Sequence, residues 1–369
     1  MKVFHFILGK ANKDRANGVN QVIAGLAKYS ARNGAEVRVI GKAESADAEG
    51  EIVHRDGFDV RVYSRWSTAL AGAVKDAVRW ADVVHLHGTY APWNFGVAAL
   101  SRSVRTPHII TLHDGLAPER AERGKVKKRA YDAVIQRRHL STASAIHVLT
   151  QEEGTDLLRF APVNHVFCVP NGIDLEDYPR QPILQRTDLR HIGYLGRLSP
   201  EKNLDALCSA FVAVNGDRKL RLLLAGPVNP YGESLRTRYG QHGVELVGPK
   251  YGTEKTQFIR DLDLFVHPSL CDVFSIAAME VLALGTPLLI TRTSKVSYFA
   301  DRCAFMMCEP TSYGLAAGLR DALSRKDQWP VISENGMKLI SETLNWDVSA
   351  SKLLNEYEAV IARNDEEGA

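Results

Sequence analysis

Short runs rich in Val, Ile and Leu recur along the chain, and segments of helical length separate them. Runs of four to six such residues are typical of strands that are covered on both faces in a parallel sheet. Their alternation with helices predicts an α/β fold with doubly wound parallel sheets. In the first half we predict strands at 3–8, 36–40, 83–87, 108–113 and 145–149. In the second half we predict strands at 191–195, 220–225, 244–247, 264–267, 287–291 and 305–308.

The two series of strands predict two Rossmann-like domains, and a chain of 369 residues suits two cores. The segment 170–190 contains three prolines and falls between the two series, so we interpret it as the seam. We predict an N-terminal domain over 1–175, a second domain over 190–345 and a final helix over 346–369. Ligands of doubly wound folds bind at the carboxyl ends of the strands. We therefore expect the site in a cleft where the two domains face each other.

Composition and charge exclude several classes of protein. Apolar residues make up 45% of the chain, yet no segment approaches the ~20 apolar residues that span a bilayer. The first apolar run is too short for a signal peptide, which predicts a cytoplasmic protein. Five cysteines without a CxxC pair indicate a reducing compartment and argue against a disulfide framework or a zinc site. The net charge of +3 is too small to predict nucleic-acid binding.

A glycine and two basic residues follow the first strand of the second series. Gly196 permits a close approach of the backbone to a ligand, and Ser199-Pro200 predicts the start of a helix. Arg197 and Lys202 flank this start, where free N–H groups and the helix dipole favour an anion. We therefore predict a diphosphate site rather than a solvated charged loop, with the guanidinium as a fork and the ammonium as a point charge.

Two carboxylates bracket a second predicted helix start. Asp272 lies on the loop after a strand, and Glu280 lies about one and a half turns inside the helix that follows. A carboxylate in this position can accept hydrogen bonds from two ribose hydroxyls. Between the carboxylates, the predicted helix start at Phe274, Ser275 and Ile276 directs free N–H groups at phosphates. A single helical Glu is usually a surface residue, but this pair favours a nucleotide site.

These residues resemble the retaining GT-B glycosyltransferases of family 4. That family has a Glu-x7-Glu motif in the setting Pro-Ser-x-x-Glu-Gly-Phe-Gly, followed by Gly-x-Pro. Asp272 stands at the first Glu of the motif, and Val273 and Ser275 replace its two glycines. The matching segments are Pro268-Ser269, Phe274, Glu280, Gly285-Thr286-Pro287, Gly196-Arg197-Leu198, Glu201-Lys202-Asn203, Asn171-Gly172-Ile173-Asp174 and Trp346, which would open the last helix.

The resemblance implies that the second domain binds a nucleotide-sugar donor and that the first binds the acceptor. Arg197 and Lys202 would bind the donor diphosphate, and Glu280 would bind the ribose. Asp272 would lie by the hydroxyls of the transferred sugar, and its shorter side chain leaves the identity of that sugar open. Tyr251 follows the strand 244–247 and offers a stacking platform for the base.

In the first domain, the resemblance implies roles for a glycine and a histidine. Gly18 would face the donor phosphates or the acceptor, although Asn17 replaces the first glycine of the family's Gly-Gly pair. His113 ends a strand and would lie near the anomeric carbon, with a structural histidine as the alternative. His87 also ends a strand and could line the cleft, whereas His85 is expected to be buried.

The sequence does not favour a metal-dependent mechanism. Asp261-Leu262-Asp263 spells the Asp-x-Asp signature of metal-dependent glycosyltransferases, but it precedes a strand and so lies at the amino edge of the sheet, away from the ligand edge. The sequence also has no HxxxH motif and no Cys/His cluster. We therefore expect neither a metal nor a cofactor, since the nucleotide-sugar donor is a substrate.

The resemblance as a whole implies a retaining, metal-independent hexosyltransferase. A GDP-mannose-type donor is favoured over UDP-linked sugars, with a glycan or lipid-linked saccharide as acceptor. Bacterial lipopolysaccharide O-antigen or exopolysaccharide synthesis is the expected setting. The alternatives are a nucleotide-sugar epimerase of the same fold, a phosphorylase, a catalytically silent transferase subunit and a two-lobed solute-binding protein, the last of which would require export.

A basic stretch over 119–138 carries eight basic side chains against three acidic ones. Such a stretch either contacts an anionic membrane surface, at about 1 kcal/mol per basic residue, or forms a solvated helix face. The first interpretation predicts peripheral association with the inner face of the membrane. The basic residues are Arg120, Arg123, Lys125, Lys127, Lys128, Arg129, Arg137 and Arg138.

Overall fold

The computed structural model describes residues 1–8, 18–42, 49–113, 116, 135–183, 188–216, 219–272 and 274–368. The chain forms two compact units, one of residues 1–172 with 346–369 and the other of residues 173–345. Asn17 and Val273, and the basic stretch between 117 and 134, lie outside the described residues.

The first unit contains a sheet of eight described strands. Its core strands are nearly all Val, Ile, Leu and Phe with buried histidines between them, because helices cover both faces of the sheet. The strands are β1 (Lys2–Leu8), β2 (Glu36–Lys42), β3 (Val53–Arg55), β4 (Phe58–Tyr63), β5 (Val83–His87), β6 (His108–Thr111), β7 (Ala145–Val148) and β8 (Val166–Cys168). Their order is β3-β4-β2-β1-β5-β6-β7-β8, and only the β3–β4 pair is antiparallel among them.

The second unit contains a sheet of six described strands, all parallel. The strands are β9 (His191–Leu195), β10 (Arg221–Ala225), β11 (Val244–Gly248), β12 (Leu264–His267), β13 (Leu288–Thr291) and β14 (Met306–Cys308). Their order is β11-β10-β9-β12-β13-β14. The chain order reverses between β10 and β12, on either side of β9, and this is where doubly wound folds bind ligands.

Twelve α-helices lie within the described residues. Side-chain caps begin several of them: Ser67 accepts a hydrogen bond from the Leu70 N–H, and Thr150 accepts one from the Glu153 N–H. The helices are α1 (Gly18–Arg32), α2 (Thr68–Trp80), α3 (Pro92–Ser103), α4 (Arg137–Ser141), α5 (Gln151–Phe160), α6 (Leu204–Asn215), α7 (Pro230–Tyr239), α8 (Gly252–Asp261), α9 (Ile276–Ala283), α10 (Ser312–Ser324), α11 (Trp329–Glu342) and α12 (Trp346–Gly368). None of the described helices is long and apolar enough to cross a bilayer.

The last helix belongs to the first unit. Trp346 opens α12, and its indole packs so tightly on Gly25 of α1 that a Cβ at Gly25 would lie 2.3 Å from the ring. Only glycine leaves room for this contact. About three turns further along α12, Tyr357 is fully buried. The first unit is therefore completed by a helix that follows the second unit in the chain.

The doubly wound α/β fold predicted from the sequence is confirmed, and all eleven predicted strands are present. Three further strands, β3, β4 and β8, were not predicted. The helix start predicted at Ser199-Pro200 is present, with Ser199 at the N-cap position, but it opens a short 3₁₀ helix over Pro200–Lys202 and not an α-helix. The α-helix α6 begins only at Leu204, and Asn203 separates the two with a left-handed backbone (φ 57°).

Candidate functional site

Lys202 and Asp272 form an ion pair at the carboxyl edge of the second sheet. The ammonium Nζ lies 2.8 Å from Asp272 Oδ2, and the side chains are only 15% and 17% exposed. The sequence placed both residues in the site, but their direct contact was not predicted. A neighbouring carboxylate therefore already holds the predicted phosphate-binding lysine.

Backbone contacts between two loops bring this pair together. The Leu270 N–H donates to the Glu201 carbonyl over 3.1 Å, which ties the 3₁₀ turn after β9 to the loop after β12. Asp272 in turn forms a parallel β-bridge with Ser294, and its backbone carbonyl accepts a hydrogen bond from the Lys295 N–H. Both ends of the ion pair are thus fixed by main-chain bonds, and the pair is preorganised.

His267 is a third member of this group and was not predicted. It ends β12, is buried, and donates from Nε2 to the same Asp272 oxygen over 2.8 Å. Burial by itself raises the pKa of Asp272, but the hydrogen bond and charge of His267 together with Lys202 outweigh it, so the pKa lies well below its usual range. The carboxylate is therefore ionised at neutral pH. A polar residue ending an apolar strand at the ligand edge was the signal that could have identified His267.

Gly196 lies where β9 turns into the phosphate-binding loop. Its φ of +153° and the Tyr194 hydroxyl, 2.6 Å from any Cβ placed there, both require glycine. The next loop is equally close, since a Cβ at Gly226 would meet the Gly196 carbonyl at 2.0 Å. Arg197 follows with a side chain that is 73% exposed and reaches Glu201 only at 3.8 Å. The structure does not bring Arg197 into the ion pair of Lys202 and Asp272.

The N-terminus of α9 lies between the two predicted carboxylates. Ser275 is its N-cap, with Oγ accepting from the Ala278 N–H over 3.2 Å, and Ile276 is the first helical residue. Phe274 is buried and packs edge-on against Phe299, with 6.2 Å between the ring centroids. The capping leaves N–H groups of the first turn for an anion. Phe274 contributes packing beneath this turn.

Glu280 is buried inside α9 and is held by two residues that were not predicted. Its Oε1 accepts from Lys255 Nζ and from the Tyr178 hydroxyl, each over 2.7 Å. Burial and the Glu280 carboxylate raise the pKa of Tyr178 far above its usual value, so this hydroxyl remains a donor. Lys255 lies on α8, while Tyr178 belongs to the segment predicted as the seam. Neither carries a local motif, so only the folded chain reveals them.

Tyr251, predicted as a base platform, is the N-cap residue of α8. Its side chain is 57% exposed, and Gly248 and Gly252 on either side have positive φ angles. The turn therefore presents an uncovered aromatic ring one helical turn before Lys255.

The Asp-x-Asp sequence lies at the opposite edge of the same sheet. Asp263 is buried, and its Oδ2 accepts from the Arg190 and His191 N–H groups over 2.6 and 2.7 Å. Asp261 accepts from Gln257 over 2.8 Å. Asp263 thus binds the N–H groups at the start of β9, which is a structural role.

The predicted residues of the first unit are Gly18 and His113. Gly18 is the first residue of α1, and residues 9–17 before it lie outside the described part of the chain. His113 follows β6, is largely buried and has a left-handed backbone with φ 48°. Its Nε2 lies 3.2 Å from Nδ1 of His87. His87 is itself buried at 3% exposure, and His85 is buried as predicted.

Three histidines that are far apart in sequence converge in the first unit. His5, His85 and His87 bring ring nitrogens within 4.8 Å of one another, which is close enough to consider a metal ion. Both nitrogens of His85 and of His87, however, are already in hydrogen bonds. Among the described residues, the ionisable neighbours that lower the pKa values of these three histidines are other histidines, and these offer no negative charge to a dication. The cluster is better described as a hydrogen-bond network.

Sequence comparisons match both units to known families. A profile described as Glycosyltransferase Family 4 matches residues 16–177, and one described as Glycosyl transferases group 1 matches residues 190–325. The chain is 24% identical to D-inositol 3-phosphate glycosyltransferase of Corynebacterium glutamicum, over 96% of this chain and 94% of the relative. It is 28% identical to GDP-mannose:cellobiosyl-diphosphopolyprenol alpha-mannosyltransferase of Xanthomonas oryzae pv. oryzae, over 77% of each chain.

Comparison with solved structures supports the two-unit α/β fold described above. The HepE protein of Anabaena, solved in complex with UDP-glucose, superposes with a TM-score of 0.74 at 16% identity. The match covers 96% of this chain and 99% of HepE. At this level of identity the likeness concerns the fold alone, and the fold is GT-B.

Proposed function

The chain belongs to the glycosyltransferases of family 4 and group 1, and we propose that it transfers a hexose-type sugar from a nucleoside-diphosphate sugar with retention at the anomeric carbon. The observation that carries this proposal is the arrangement around α9. An ionised Asp272 with Lys202 lies before the helix N-terminus, and Glu280 lies inside the helix. Anion, sugar and ribose contacts thus have candidate groups within one loop and one helix.

Lys202 has a bridging role in this proposal. An ammonium group has three N–H donors, so it can keep one on Asp272 and direct another to the donor diphosphate. Without it, the ionised Asp272 would repel the diphosphate. Arg197, which is exposed and only loosely paired, would turn in to supply the second cation. The N–H groups at the start of α9 complete the anion site.

The transfer step requires no enzyme nucleophile. The bond from the anomeric carbon to the diphosphate oxygen breaks with its electron pair moving to the diphosphate. The acceptor hydroxyl oxygen forms the new bond on the same face of the sugar, and its proton passes to a diphosphate oxygen. Lys202, Arg197 and the helix N–H groups stabilise the charge that develops on the leaving group, which is an electrostatic contribution. Asp272 would accept hydrogen bonds from hydroxyls of the sugar, and His113 would orient it.

A GDP-mannose-type donor and a lipid-linked saccharide acceptor complete the proposal. The named activity of the Xanthomonas relative supports both, whereas the UDP-glucose bound to HepE supports a uridine donor instead. Because Glu280 would contact the ribose, it serves either base. The base would lie against Tyr251, whose exposed ring stacks on purines and pyrimidines alike. We further propose that the reaction needs no metal and takes place in bacterial surface polysaccharide synthesis.

The test begins with a thermal-shift screen of nucleoside diphosphates and their sugars against the purified full-length protein. The donor that stabilises it is then supplied with lipid-linked saccharide acceptors, and the anomeric configuration of the product is read by NMR. We expect transfer with retention that persists in EDTA. Inversion would overturn the mechanism, loss of turnover in EDTA would overturn metal independence, and release of free sugar without an acceptor would indicate an epimerase or a hydrolase.

Variants connect the activity to the site. Lys202→Ala and Glu280→Ala are expected to remove most turnover. For Lys202, which would stabilise developing charge, the loss should be about 10²-fold or more, whereas Glu280→Ala should act through weaker binding of the donor. Lys338→Ala and Glu342→Ala are matched controls, because these two residues form an exposed pair 3.8 Å apart on α11. Equal activity in all four variants would place the chemistry elsewhere.

A further inference from the structure

Four buried histidines and a threonine line one face of the sheet in the first unit. His5 of β1 lies opposite His85 of β5 in register, and Thr111 of β6 lies opposite both His87 and His147 in the same way. Side chains on alternate positions of a strand share a face, so these five groups form a continuous polar layer. All are buried.

One branch of this layer has a single possible arrangement of protons. The Val169 carbonyl can only accept, so the Nε2 of His147, 2.8 Å away, carries the proton. His147 Nδ1 then accepts from the Thr111 hydroxyl over 2.8 Å, and Thr111 in turn accepts from His85 Nε2. His85 Nδ1 is left to accept from the hydroxyl of Tyr357. Every group of this branch is neutral and paired.

The second branch joins three histidines and ends at His113. His5 Nδ1 lies 2.9 Å from His87 Nε2, and His87 Nδ1 lies 3.2 Å from His113 Nε2. Burial lowers the pKa of His87 well below its usual value, with the neighbouring histidines adding to the effect, so its ring is neutral. A neutral ring has one N–H. His87 must therefore donate one of its two hydrogen bonds and accept the other. Either His5 donates to His87 and His87 donates to His113, or both bonds have the opposite direction, toward His5.

The end of the branch at His5 Nε2 decides between the two directions. If the bonds ran toward His5, its Nε2 would carry a proton, and this buried atom has no partner among the described residues. If they run toward His113, the same atom is an unpaired acceptor. A buried N–H without an acceptor is rarer and more costly than an acceptor without a donor. The bonds therefore run from His5 to His87 to His113.

We infer that His5 and His87 are positioning residues that hold His113 as the tautomer with its proton on Nδ1. The lone pair of His113 Nε2 is then occupied by the N–H of His87, and Nδ1 already bears a hydrogen. Neither nitrogen of His113 can take a proton from an acceptor hydroxyl. His113 therefore does not act as a general base in the transfer. This inference rests on the proposed function for the role of His113, but its test does not.

The tautomer is measured directly by two-dimensional ¹H–¹⁵N NMR of the full-length protein labelled with ¹⁵N-histidine, without donor or acceptor. His113→Gln identifies the His113 resonances by their loss. We expect a protonated-type shift for His113 Nδ1 and an unprotonated-type shift for Nε2. The opposite assignment overturns the inference even if the protein is an active transferase. The expected assignment sustains it even if no transfer is found.

A variant tests whether His87 causes the preference. His87→Leu removes the N–H that fills the Nε2 lone pair, and His113 should move toward the Nε2–H tautomer that histidine prefers in water. His242→Leu, an exposed histidine of the other unit, is the matched control and should leave the His113 resonances unchanged. An unchanged His113 tautomer in a folded His87→Leu protein would show that His87 does not set it. If that variant does not fold, the wild-type spectrum alone still decides the direction of the bonds.

Discussion

Lys255 and Glu280 form a buried ion pair in which Nζ lies 2.7 Å from Oε1, with the side chains 18% and 4% exposed. Tyr178 donates to the same oxygen, and among the described residues both hydrogen bonds to Glu280 reach Oε1. The lysine and the tyrosine thereby fix the rotamer of the carboxylate and leave Oε2, which the proposed function assigns to a ribose hydroxyl. A residue of α8 and a residue of the seam thus orient the proposed ribose ligand.

Lys255→Met is expected to destabilise the second unit and to weaken nucleotide binding. The substitution leaves a buried carboxylate with one neutral donor, and breaking a buried pair costs about 3 kcal/mol or more. Tyr178→Phe should cost less, about 1–2 kcal/mol, because the lysine remains. Chemical denaturation and calorimetric titration with nucleoside diphosphates measure both effects. Lys338→Met on the exposed face of α11 is the control, and a Lys255→Met protein as stable as this control would contradict the role of the pair.

Lys202→Ala is expected to lose both stability and turnover, and a second substitution should separate the two effects. In Lys202→Ala the ionised Asp272 keeps only His267 as its partner. Adding Asp272→Asn removes the uncompensated charge, so the free energy of unfolding should recover by about 1–3 kcal/mol relative to the single variant. Turnover should not recover, since the diphosphate still lacks its cation. A double variant that regains activity would argue against the bridging role of Lys202.

Asp272→Glu is expected to change sugar choice more than nucleotide affinity. The longer side chain cannot keep its 2.8 Å contacts to both Lys202 and His267 without a shift, and it is largely buried. Overpacking of this kind typically costs about 1–3 kcal/mol. Competition between donor sugars that share one base measures the change, and affinity for the free nucleoside diphosphate is the control. Identical sugar preferences in the variant and the wild type would remove Asp272 from the sugar contact.

The first unit is expected to lose stability in mild acid. Burial lowers the pKa of His5 to about 3 and that of His147 to about 4, and it lowers those of His85 and His87 well below the usual value of 6.5. Below pH 6.5 the unfolded chain binds protons that the folded unit does not, so the free energy of unfolding falls with pH. Each histidine that stays neutral in the folded unit contributes about 1.4 kcal/mol per pH unit below 6.5. Because a whole domain is stable by only about 5–15 kcal/mol, several such groups together should produce a measurable loss.

Thermal unfolding between pH 8 and pH 4.5 provides the measurement for the first unit. His5→Phe should reduce the fall of the unfolding free energy with pH by the contribution of one histidine. His242→Phe, at an exposed position, should leave this pH dependence unchanged. A melting temperature that is constant from neutral pH down to this limit would mean that the histidines are protonated in the folded protein.

Association with membranes is expected to depend on charge. The stretch over 119–138 carries most of its basic residues outside the described part of the chain, so its test does not rely on their geometry. If it contacts anionic lipid, the protein should sediment with vesicles that contain anionic lipid, and high salt should release it. Lys125→Glu with Lys128→Glu should weaken this binding, and neutral vesicles are the control. Binding that is indifferent to lipid charge and to salt would support a solvated helix face.

The sequence predicted the central strands because these are the most apolar runs of the chain, and burial on both faces requires such runs. The missed strands lie toward the ends of the first sheet, where β3 is largely exposed and polar residues interrupt β4. In the site, motifs identified Lys202, Asp272 and Glu280. Their partners could not be predicted, because Lys202 and Asp272 are 70 residues apart and Tyr178 and Glu280 are 102 residues apart. Such pairs follow from the packing of loops that no local pattern encodes.

The contact between Gly25 and Trp346 has a consequence for the order of events during synthesis. The second unit is continuous in the chain, whereas α1 packs against the indole of a helix that is translated more than 300 residues later. Tyr357, which completes the hydrogen bonds of His85, emerges later still. The first unit therefore cannot be completed during synthesis until the last helix has been translated. A chain that stopped before residue 346 would contain an incomplete first unit and a fully translated second unit.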